Sequence, residues 1–119
     1  MEKLTNYFKL LSDETRLRIM ALLYHGEFCV CQLSGITGIS QPNMSKHLGK
    51  LRDAGLVKDE RKEQYIFYSL NIEEELFENI LKDIAENIED YSTLKLDIEK
   101  SKAAAKYIEI ANKSKRISK

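Results

Sequence analysis

The residues with the most distinctive chemistry are Cys29 and Cys31, the only two thiols in the 119-residue sequence. Two cysteines this close together cannot form a disulfide framework. In a reducing compartment such a pair more often binds a metal ion or responds to oxidation, because thiolates are soft ligands and reactive nucleophiles. The structural alternative is that both are small buried core residues, as free cysteines commonly are.

A second group of candidates is a run of polar residues near the middle of the sequence. Ser40 is a good N-cap for a helix, and Pro42 fits the first turn of that helix. The second helix of a helix-turn-helix offers its N-terminal residues to base edges in the major groove of DNA. Amide side chains suit adenine, whereas lysine and hydroxyl groups suit guanine or phosphate. The predicted DNA contacts from this helix are Ser40, Gln41, Asn43, Ser45, Lys46 and His47.

The distribution of charge locates the DNA-facing part of the chain, although the formal net charge is zero. Residues 71–100 carry ten acidic and three basic side chains, whereas residues 41–70 carry six basic and four acidic ones. Residues 101–119 carry six basic side chains and one acidic side chain. The acidic segment therefore cancels the positive charge of two basic segments in the net total, and we expect the DNA-facing surface within residues 41–70.

Composition is that of an ordinary globular protein, with 43% hydrophobic and 32% charged residues. No apolar stretch approaches the length of a membrane span, and the first residues do not resemble a signal peptide. We therefore expect a cytoplasmic protein with no membrane partner.

The spacing of apolar residues predicts four helices in the first half of the chain. The first covers Leu4 to Leu11, and the second is capped by Ser12 and closed by Gly26 in the left-handed conformation. A short third helix runs from Cys29 to Thr37 and ends at Gly38, and a fourth runs from Ser40 to Ala54-Gly55.

After the fourth helix the apolar period changes to two, which predicts a hairpin. Its strands are Leu56–Glu60 and Tyr65–Leu70, joined by a turn over residues 61–64 that places Arg61 and Lys62 against the DNA backbone or minor groove. A capping box of Asn71 and Glu74 is expected to start a fifth helix. A further helical segment, broken or bent near Ser92-Thr93, is expected to run to about Asn112. The apolar stripe of the fifth helix is Phe77, Ile80, Leu81, Ile84 and Ile88.

These elements predict a mainly α protein with a small β-hairpin wing, which is a winged helix-turn-helix. Residues 1–75 form the predicted DNA-binding core, and residues 76–119 form a C-terminal helical extension for dimerisation within one compact domain. The stripe of the fifth helix is longer than a small winged helix can cover, so we expect a homodimer built from the first helix and the C-terminal helices.

Several motifs in this order resemble the arsenic-repressor (ArsR-type) family of metal-responsive repressors, and the likeness covers residues 4–75. The resemblance implies a homodimer that binds operator DNA and leaves it when an inducer binds. The sequence departs from the family at the wing tip, where Glu63-Gln64 replaces a common Gly-Arg, so wing contacts rest on Arg61 and Lys62. The motifs lie at residues 11–20, 40–48, 54–57 and 65–70.

Residues 27–33 resemble the Cys-Val-Cys segment of the arsenite-sensing branch, which implies an inducer such as As(III), Sb(III), Cd(II) or Pb(II). Residues two apart on a regular helix point in nearly opposite directions, so one ion would bind both sulfurs only if the start of the third helix unwound. Some family members have a third cysteine where this chain has Ser34. We therefore expect a site of two thiolates completed by solvent or a small-molecule thiol.

Other functions remain open from the sequence. The same cysteine pair suits a thiol-redox switch, and a regulator without a small-molecule inducer is also consistent with the pattern. The Glu63-Gln64 wing tip and the zero net charge are also consistent with a protein-interaction module that has kept the winged-helix shape but no longer binds DNA. No pattern of catalytic residues suggests an enzyme, and the absence of histidine from residues 72–91 argues against a zinc site on the fifth helix.

Overall fold

The computed structural model describes residues 1–117, with the side chains of residues 1–111. It is mainly helical with a three-stranded antiparallel sheet, which confirms the predicted fold class. Residues 118–119 of the predicted C-terminal extension lie outside the described residues. The elements are α1 (Glu2–Leu11), α2 (Glu14–Leu23), β1 (Phe28–Cys29), α3 (Val30–Thr37), α4 (Gln41–Asp53), β2 (Val57–Lys62), β3 (Tyr65–Leu70), α5 (Glu75–Glu86), a 3₁₀ turn (Ile88–Asp90), α6 (Ser92–Ser101) and α7 (Ala105–Ile117).

The boundaries of α2 differ from those predicted. Asp13, rather than Ser12, is the N-cap, and its side chain accepts a hydrogen bond from the backbone N–H of Arg16 at 3.0 Å. A carboxylate at this position also interacts favourably with the helix dipole, which favours Asp13 over its neighbour. Gly26 does not close the helix, because α2 ends at Leu23 with a right-handed cap at Tyr24. The prediction for Gly26 is therefore wrong.

The pair α3 and α4 forms the predicted helix-turn-helix. Gly38 ends α3 at φ 78°, a left-handed conformation that glycine adopts without steric cost. The Ser40 hydroxyl accepts a hydrogen bond from the backbone N–H of Asn43 and caps α4, whose first turn holds Pro42. These boundaries confirm the predicted turn and place α4, which we call the reading helix, directly after it.

The sheet has one strand more than predicted, and its strand order is β1-β3-β2. Phe28 pairs with Tyr68 and Cys29 pairs with Phe67, so Cys29 belongs to a strand and not to the third helix. The second strand extends to Lys62, which pairs with Tyr65. The turn of the wing is thus Glu63-Gln64 alone, and Glu63 adopts a left-handed φ of 57°. Arg61 and Lys62 are strand residues rather than turn residues.

The C-terminal region contains three α-helices, one more than the fifth helix and further helical segment that were predicted. Glu74 caps α5, and the Asn71 side chain instead donates to the Gly55 carbonyl, so the predicted capping box does not form. The first break comes before the predicted bend, at the 3₁₀ turn, and a second break separates α6 from α7. Helix α6 packs on α2 and α3, and α7 packs on α3. The helices after α5 therefore fold back onto the DNA-binding unit.

A bidentate ion pair fixes α6 against α2. The Arg18 guanidinium donates to both carboxylate oxygens of Asp97, at 2.8 Å each, and also to the Thr37 carbonyl at 3.2 Å. Asp97 is only 2% exposed. The hydrogen bond with Asp97 raises the pKa of Arg18. One arginine thus ties together α2, the end of α3 and α6.

Helix α7 approaches α3 closely at Gly35. A Cβ atom on Gly35 would lie 2.2 Å from the ring of Tyr107, which no real side chain permits. Glycine at this position therefore lets the Tyr107 ring lie directly on the surface of α3.

Candidate nucleic-acid interface and thiol site

The two cysteines meet where strand β1 changes into helix α3. Cys29 is the N-cap of α3 with extended backbone angles, φ −86° and ψ 169°, and Cys31 lies in the first turn. The two sulfur atoms are 2.8 Å apart, and both cysteines are free thiols. The expectation that α3 must unwind before one ion can bind both sulfurs is therefore wrong. The argument from helical spacing assumed a helical Cys29, whereas only Cys31 is helical.

The cysteine site is partly shielded from solvent. Cys29 is 1% exposed and Cys31 is half-buried. Burial, followed by the neighbouring sulfur of Cys29, raises the pKa of the Cys31 thiol to about 12. Cys31 is therefore protonated at neutral pH, and a metal ion that binds its thiolate must displace a proton.

Gln32 connects the start of α3 to the turn before α7. Its side-chain oxygen accepts a hydrogen bond from the backbone N–H of Cys29 at 3.0 Å, and its amide donates to the Ala104 carbonyl at 3.4 Å. Gln32 is buried, so both bonds form away from water. Gln32 therefore links the backbone of Cys29 to the carbonyl group just before α7. No sequence pattern predicted this connection.

The cysteines open into a cleft of about 700 Å³ between α3, the reading helix, the wing and α7. Gln41 and Ser45 of the reading helix line the same cleft, so predicted DNA contacts and predicted metal ligands share one wall. No side chain described in the wall is charged. The described residues lining it are Cys29, Val30, Cys31, Ser34, Gly35, Gln41, Ser45, Gln64, Tyr65, Ile66, Tyr107, Ile110 and Ala111.

A third protein ligand is missing from the described part of the chain. Residues 1–111, whose side chains are described, contain no group of three or more histidine, cysteine, aspartate or glutamate side chains able to hold a metal ion. Ser34 lines the cleft at the predicted third position, but its hydroxyl donates to the Ile39 carbonyl. The two sulfurs are therefore the soft ligands that the described residues provide.

Four of the predicted DNA-contacting side chains of α4 are exposed, namely Gln41, Asn43, Ser45 and Lys46. Lys50 was not among the predicted contacts, although it is exposed one turn after Lys46. The four-residue spacing of these two lysines is the signal that could have identified it.

His47 differs from the other predicted contacts because it is half-buried against α2. The Arg16 guanidinium lies 3.2 Å from Nδ1 of His47. A guanidinium only donates, so Nδ1 is the acceptor and the imidazole is neutral. Burial lowers the pKa of His47, the Asp13 carboxylate raises it, and Arg16, Lys50 and Lys46 lower it further.

The two wing cations are exposed but differ in their partners. Lys62 forms an ion pair with Glu27, and its ammonium group lies 5.6 Å from the ring centroid of Phe67. The hydrogen bond with Glu27 raises the pKa of Lys62. Arg61 donates through Nε to the Glu63 carbonyl at 3.4 Å. A phosphate group would have to compete with the Glu27 carboxylate for Lys62. We therefore expect a phosphate group to bind Arg61 more readily than Lys62.

The fold and this site define a winged helix-turn-helix protein with a thiol pair beside its reading helix. The family described as "Bacterial regulatory protein, arsR family" matches residues 13–59. The chain is 41% identical over 68 residues to the transcriptional repressor SdpR of Bacillus subtilis, covering 57% of this chain and 76% of the relative. This chain belongs to the arsR family of bacterial regulatory proteins.

Two further similarities extend the comparison. The chain is 46% identical over 67 residues to the arsenic resistance transcriptional regulator ArsR1 of Pseudomonas putida, covering 56% of this chain and 52% of the relative. The chain thus spans about half the length of that curated relative. It also matches the solution structure of the homodimeric winged helix-turn-helix domain Mb0332 of Mycobacterium bovis. That match has a TM-score of 0.63 and 27% identity and covers 76% of this chain and 85% of the other.

Proposed function

We propose that this protein is a DNA-binding transcriptional repressor that leaves its operator when a soft metal or metalloid ion binds Cys29 and Cys31. The observation that carries the proposal is the contact of two thiol sulfurs at the start of α3, the helix that packs on the reading helix. The relatives' names, a repressor and an arsenic resistance regulator, support a regulatory role rather than an enzymatic one.

The chemistry of the donor set favours soft ions. The described residues place no carboxylate or imidazole cluster beside the two cysteines, and two thiolates suit As(III), Sb(III), Cd(II) or Pb(II) better than hard cations such as Mg²⁺ or Ca²⁺. The name of the Pseudomonas relative supports As(III) as the first ion to test. The ion acts as an inducer, and the protein needs no obligatory cofactor to fold.

The switch follows from the positions of the two cysteines. Cys29 belongs to the sheet and Cys31 to α3, so one ion that binds both sulfurs joins the sheet to α3. The two thiolates must take the positions that the ion requires, and binding therefore shifts α3 relative to the wing. The reading helix packs on α3 and is displaced with it.

In the DNA complex, the exposed side chains at the start of the reading helix contact base edges, while the wing and Lys50 contact phosphates. Gln41 and Asn43 carry the base preference because an amide makes two hydrogen bonds to adenine. Ser40, Ser45, Lys46 and His47 complete the predicted contacts of the helix, with Ser40 also capping it.

The repressor is a homodimer whose interface is formed by α1 and α5. Phe8 and Leu76 are each 47% exposed beside Phe77, and the Phe8 ring packs against the Phe77 ring at a tilt of 54° with the centroids 5.2 Å apart. The Mycobacterium structure is described as homodimeric, which supports this assembly. A twofold dimer places two half-sites about one helical turn apart. Operator DNA lies in the cytoplasm of a bacterium, which we propose as the working compartment.

A titration of the reduced protein with arsenite and with Cd(II) tests the inducer. Thiolate-to-metal charge-transfer absorption in the ultraviolet measures binding, and gel shift of a DNA fragment from the protein's own promoter measures release. We expect both signals to saturate at the same ion concentration. Release by mild oxidation without any release by arsenite would instead assign the cysteine pair to a thiol-redox switch.

A salt series of the same gel shift tests the DNA-binding role. We expect affinity for the promoter fragment to fall steeply as salt rises, because bound phosphates release counterions. Affinity for an unrelated fragment of equal length should be weaker at every salt concentration. Equal, salt-independent binding of both fragments would contradict the assignment as a repressor.

A further inference from the structure

The cysteine site adjoins a cleft that is much larger than a bound ion needs. The cleft beside the sulfurs measures about 700 Å³, whereas a water molecule occupies about 30 Å³ of liquid. Volumes between about 300 and 1,000 Å³ are typical of pockets for small organic molecules. The space at the third coordination position therefore greatly exceeds what an ion with a bound water needs.

The walls of the cleft fit a small organic body. Tyr107 and Ile110 of α7 and Ile66 of the wing provide apolar surface, whereas Gln41 and Ser45 provide hydrogen-bonding groups. Small-molecule sites commonly combine a mainly apolar lining with a few polar groups that fix orientation. Cys29 and Cys31 are among the residues that line the cleft, so a ligand in the cleft reaches an ion bound to the pair.

We propose that the third ligand of a trivalent arsenic at this site is the sulfur of a low-molecular-weight thiol whose organic body occupies the cleft. This inference rests on the proposed function and names the chemical form of its inducer. Arsenous acid, the two cysteine thiols and one small thiol react to give one arsenic with three As–S bonds. Three As–OH bonds break, and each hydroxyl leaves as water with one thiol proton, so no oxidant or reductant is needed.

The inducer is thus a mixed thiolate complex of the ion, recognised partly by its organic part. Helix α7 takes part in recognition because its Tyr107 and Ile110 face the cleft. This assigns α7 a ligand-binding role besides any structural one.

X-ray absorption at the arsenic edge tests the inference on the full chain loaded with one equivalent of arsenite. The probe is 2-mercaptoethanol, and ethylene glycol is the control because it has the same size without sulfur. We expect two sulfurs and one oxygen around arsenic with ethylene glycol, and three sulfurs with 2-mercaptoethanol. Native mass spectrometry should show one arsenic and one thiol retained per chain.

Two variants separate the role of the cleft from that of the cysteines. Ala111→Trp fills the cleft without touching the pair, and Ala105→Trp is its control on the same helix but outside the cleft. We expect only Ala111→Trp to lose the retained thiol while keeping the arsenic. Ser34→Cys should give three sulfurs without any added thiol, because residues 31 and 34 lie on one face of α3.

The outcomes distinguish this inference from the function on which it rests. If arsenic binds with two sulfurs and one oxygen under both conditions, a thiol ligand is ruled out while the two-cysteine inducer site stands. If Ala111→Trp retained the thiol as Ala105→Trp does, the organic part of the thiol would lie outside the cleft. Absence of any As–S signal would overturn the inducer site, and this inference with it.

Discussion

Single-residue substitutions at the cysteine pair separate DNA binding from induction. We expect Cys29→Ser and Cys31→Ser each to bind the operator as the wild type does, because Cys29 lies in β1 and Cys31 in α3, outside the reading helix. Each should lose release by arsenite, since one remaining thiolate does not hold the ion. Gel shift with and without arsenite measures both effects. Arsenite release that persists in either variant would contradict the two-cysteine site.

Base reading and phosphate contact should respond differently to substitution. Replacing Gln41 or Asn43 with alanine should relax base preference by about 1–3 kcal/mol for each lost bidentate contact. Replacing Arg61 with alanine should weaken binding to all sequences alike and lower the salt slope by about one. Lys62→Ala should act in the same sense but less, because Glu27 already pairs with that ammonium.

Binding to a panel of operator variants at several salt concentrations measures these quantities. Glu27→Gln is the matched control, because it frees Lys62 without altering the wing cations. It should strengthen binding to every sequence. If Lys62→Ala changed the sequence preference and Gln41→Ala did not, the wing would read the bases and the reading helix would not.

His47 makes stability depend on pH near neutrality. Burial holds its pKa below the ordinary value of 6.5, so the folded protein prefers the neutral imidazole that accepts from Arg16. This contribution is present above pH 6.5 and is lost as pH falls through the lowered pKa. We expect the free energy of unfolding to decrease between pH 7 and 5, measured by urea unfolding. His47→Gln keeps an acceptor without titrating and should show a weaker decrease.

At the scale of elements, the Arg18–Asp97 pair should dominate the attachment of α6. Asp97→Ala leaves a guanidinium without its carboxylate between α2 and α6, and we expect a loss of about 3 kcal/mol in the free energy of unfolding. Thermal or urea unfolding measures this loss. The double variant Arg18→Met with Asp97→Leu should recover most of it, because the site then holds no unpaired charge. A loss in the double variant equal to that in Asp97→Ala would show that packing, not charge, fixes α6.

Elements with strong local signals were predicted with accurate type and nearly accurate bounds. Gly38 ends α3 through a backbone hydrogen bond to Ser34, and the Ser40 hydroxyl caps α4. Pro42 fits the first turn of α4 because no backbone N–H is needed there. Strand β1 was missed because two residues carry no periodicity, and it exists only through pairing with β3 far along the chain. Because of that pairing, Cys29 has an extended backbone beside Cys31, whereas the sequence had predicted that both cysteines belong to the third helix.

Local sequence patterns do not predict contacts between residues that are far apart in the sequence. Arg18 and Asp97 are 79 residues apart, and each is one charged residue among several others nearby in the sequence. Nothing in the local sequence therefore indicates that they form a pair. The apolar stripe of α5 was identified, but its assignment as an uncovered surface was wrong in part. Phe77 and Leu81 are buried in their own chain, where the Phe77 ring packs edge-on against Tyr7 at 5.1 Å. The predicted DNA contacts and metal ligands stay predictions.

At the scale of the whole molecule, the dimer should depend on the apolar surface that α1 and α5 leave exposed. We expect light scattering at micromolar concentration to give a dimer for the wild type. Leu76→Glu should give a monomer, because a carboxylate would be buried without a partner at the interface. Leu96→Glu on α6, where the side chain is 50% exposed, is the matched control and should stay dimeric. A wild-type monomer would end the dimer assignment.

The cleft wall shared by Gln41, Ser45 and the two cysteines has a consequence for gene control. Under the proposed function, an inducer that lowers the affinity for an operator by some factor is itself bound more weakly, by the same factor, while that operator is held. A promoter with a tight operator therefore needs a higher inducer concentration for derepression than a promoter with a loose one. A single repressor can thus order its target genes by dose, with operator sequence setting the threshold of each.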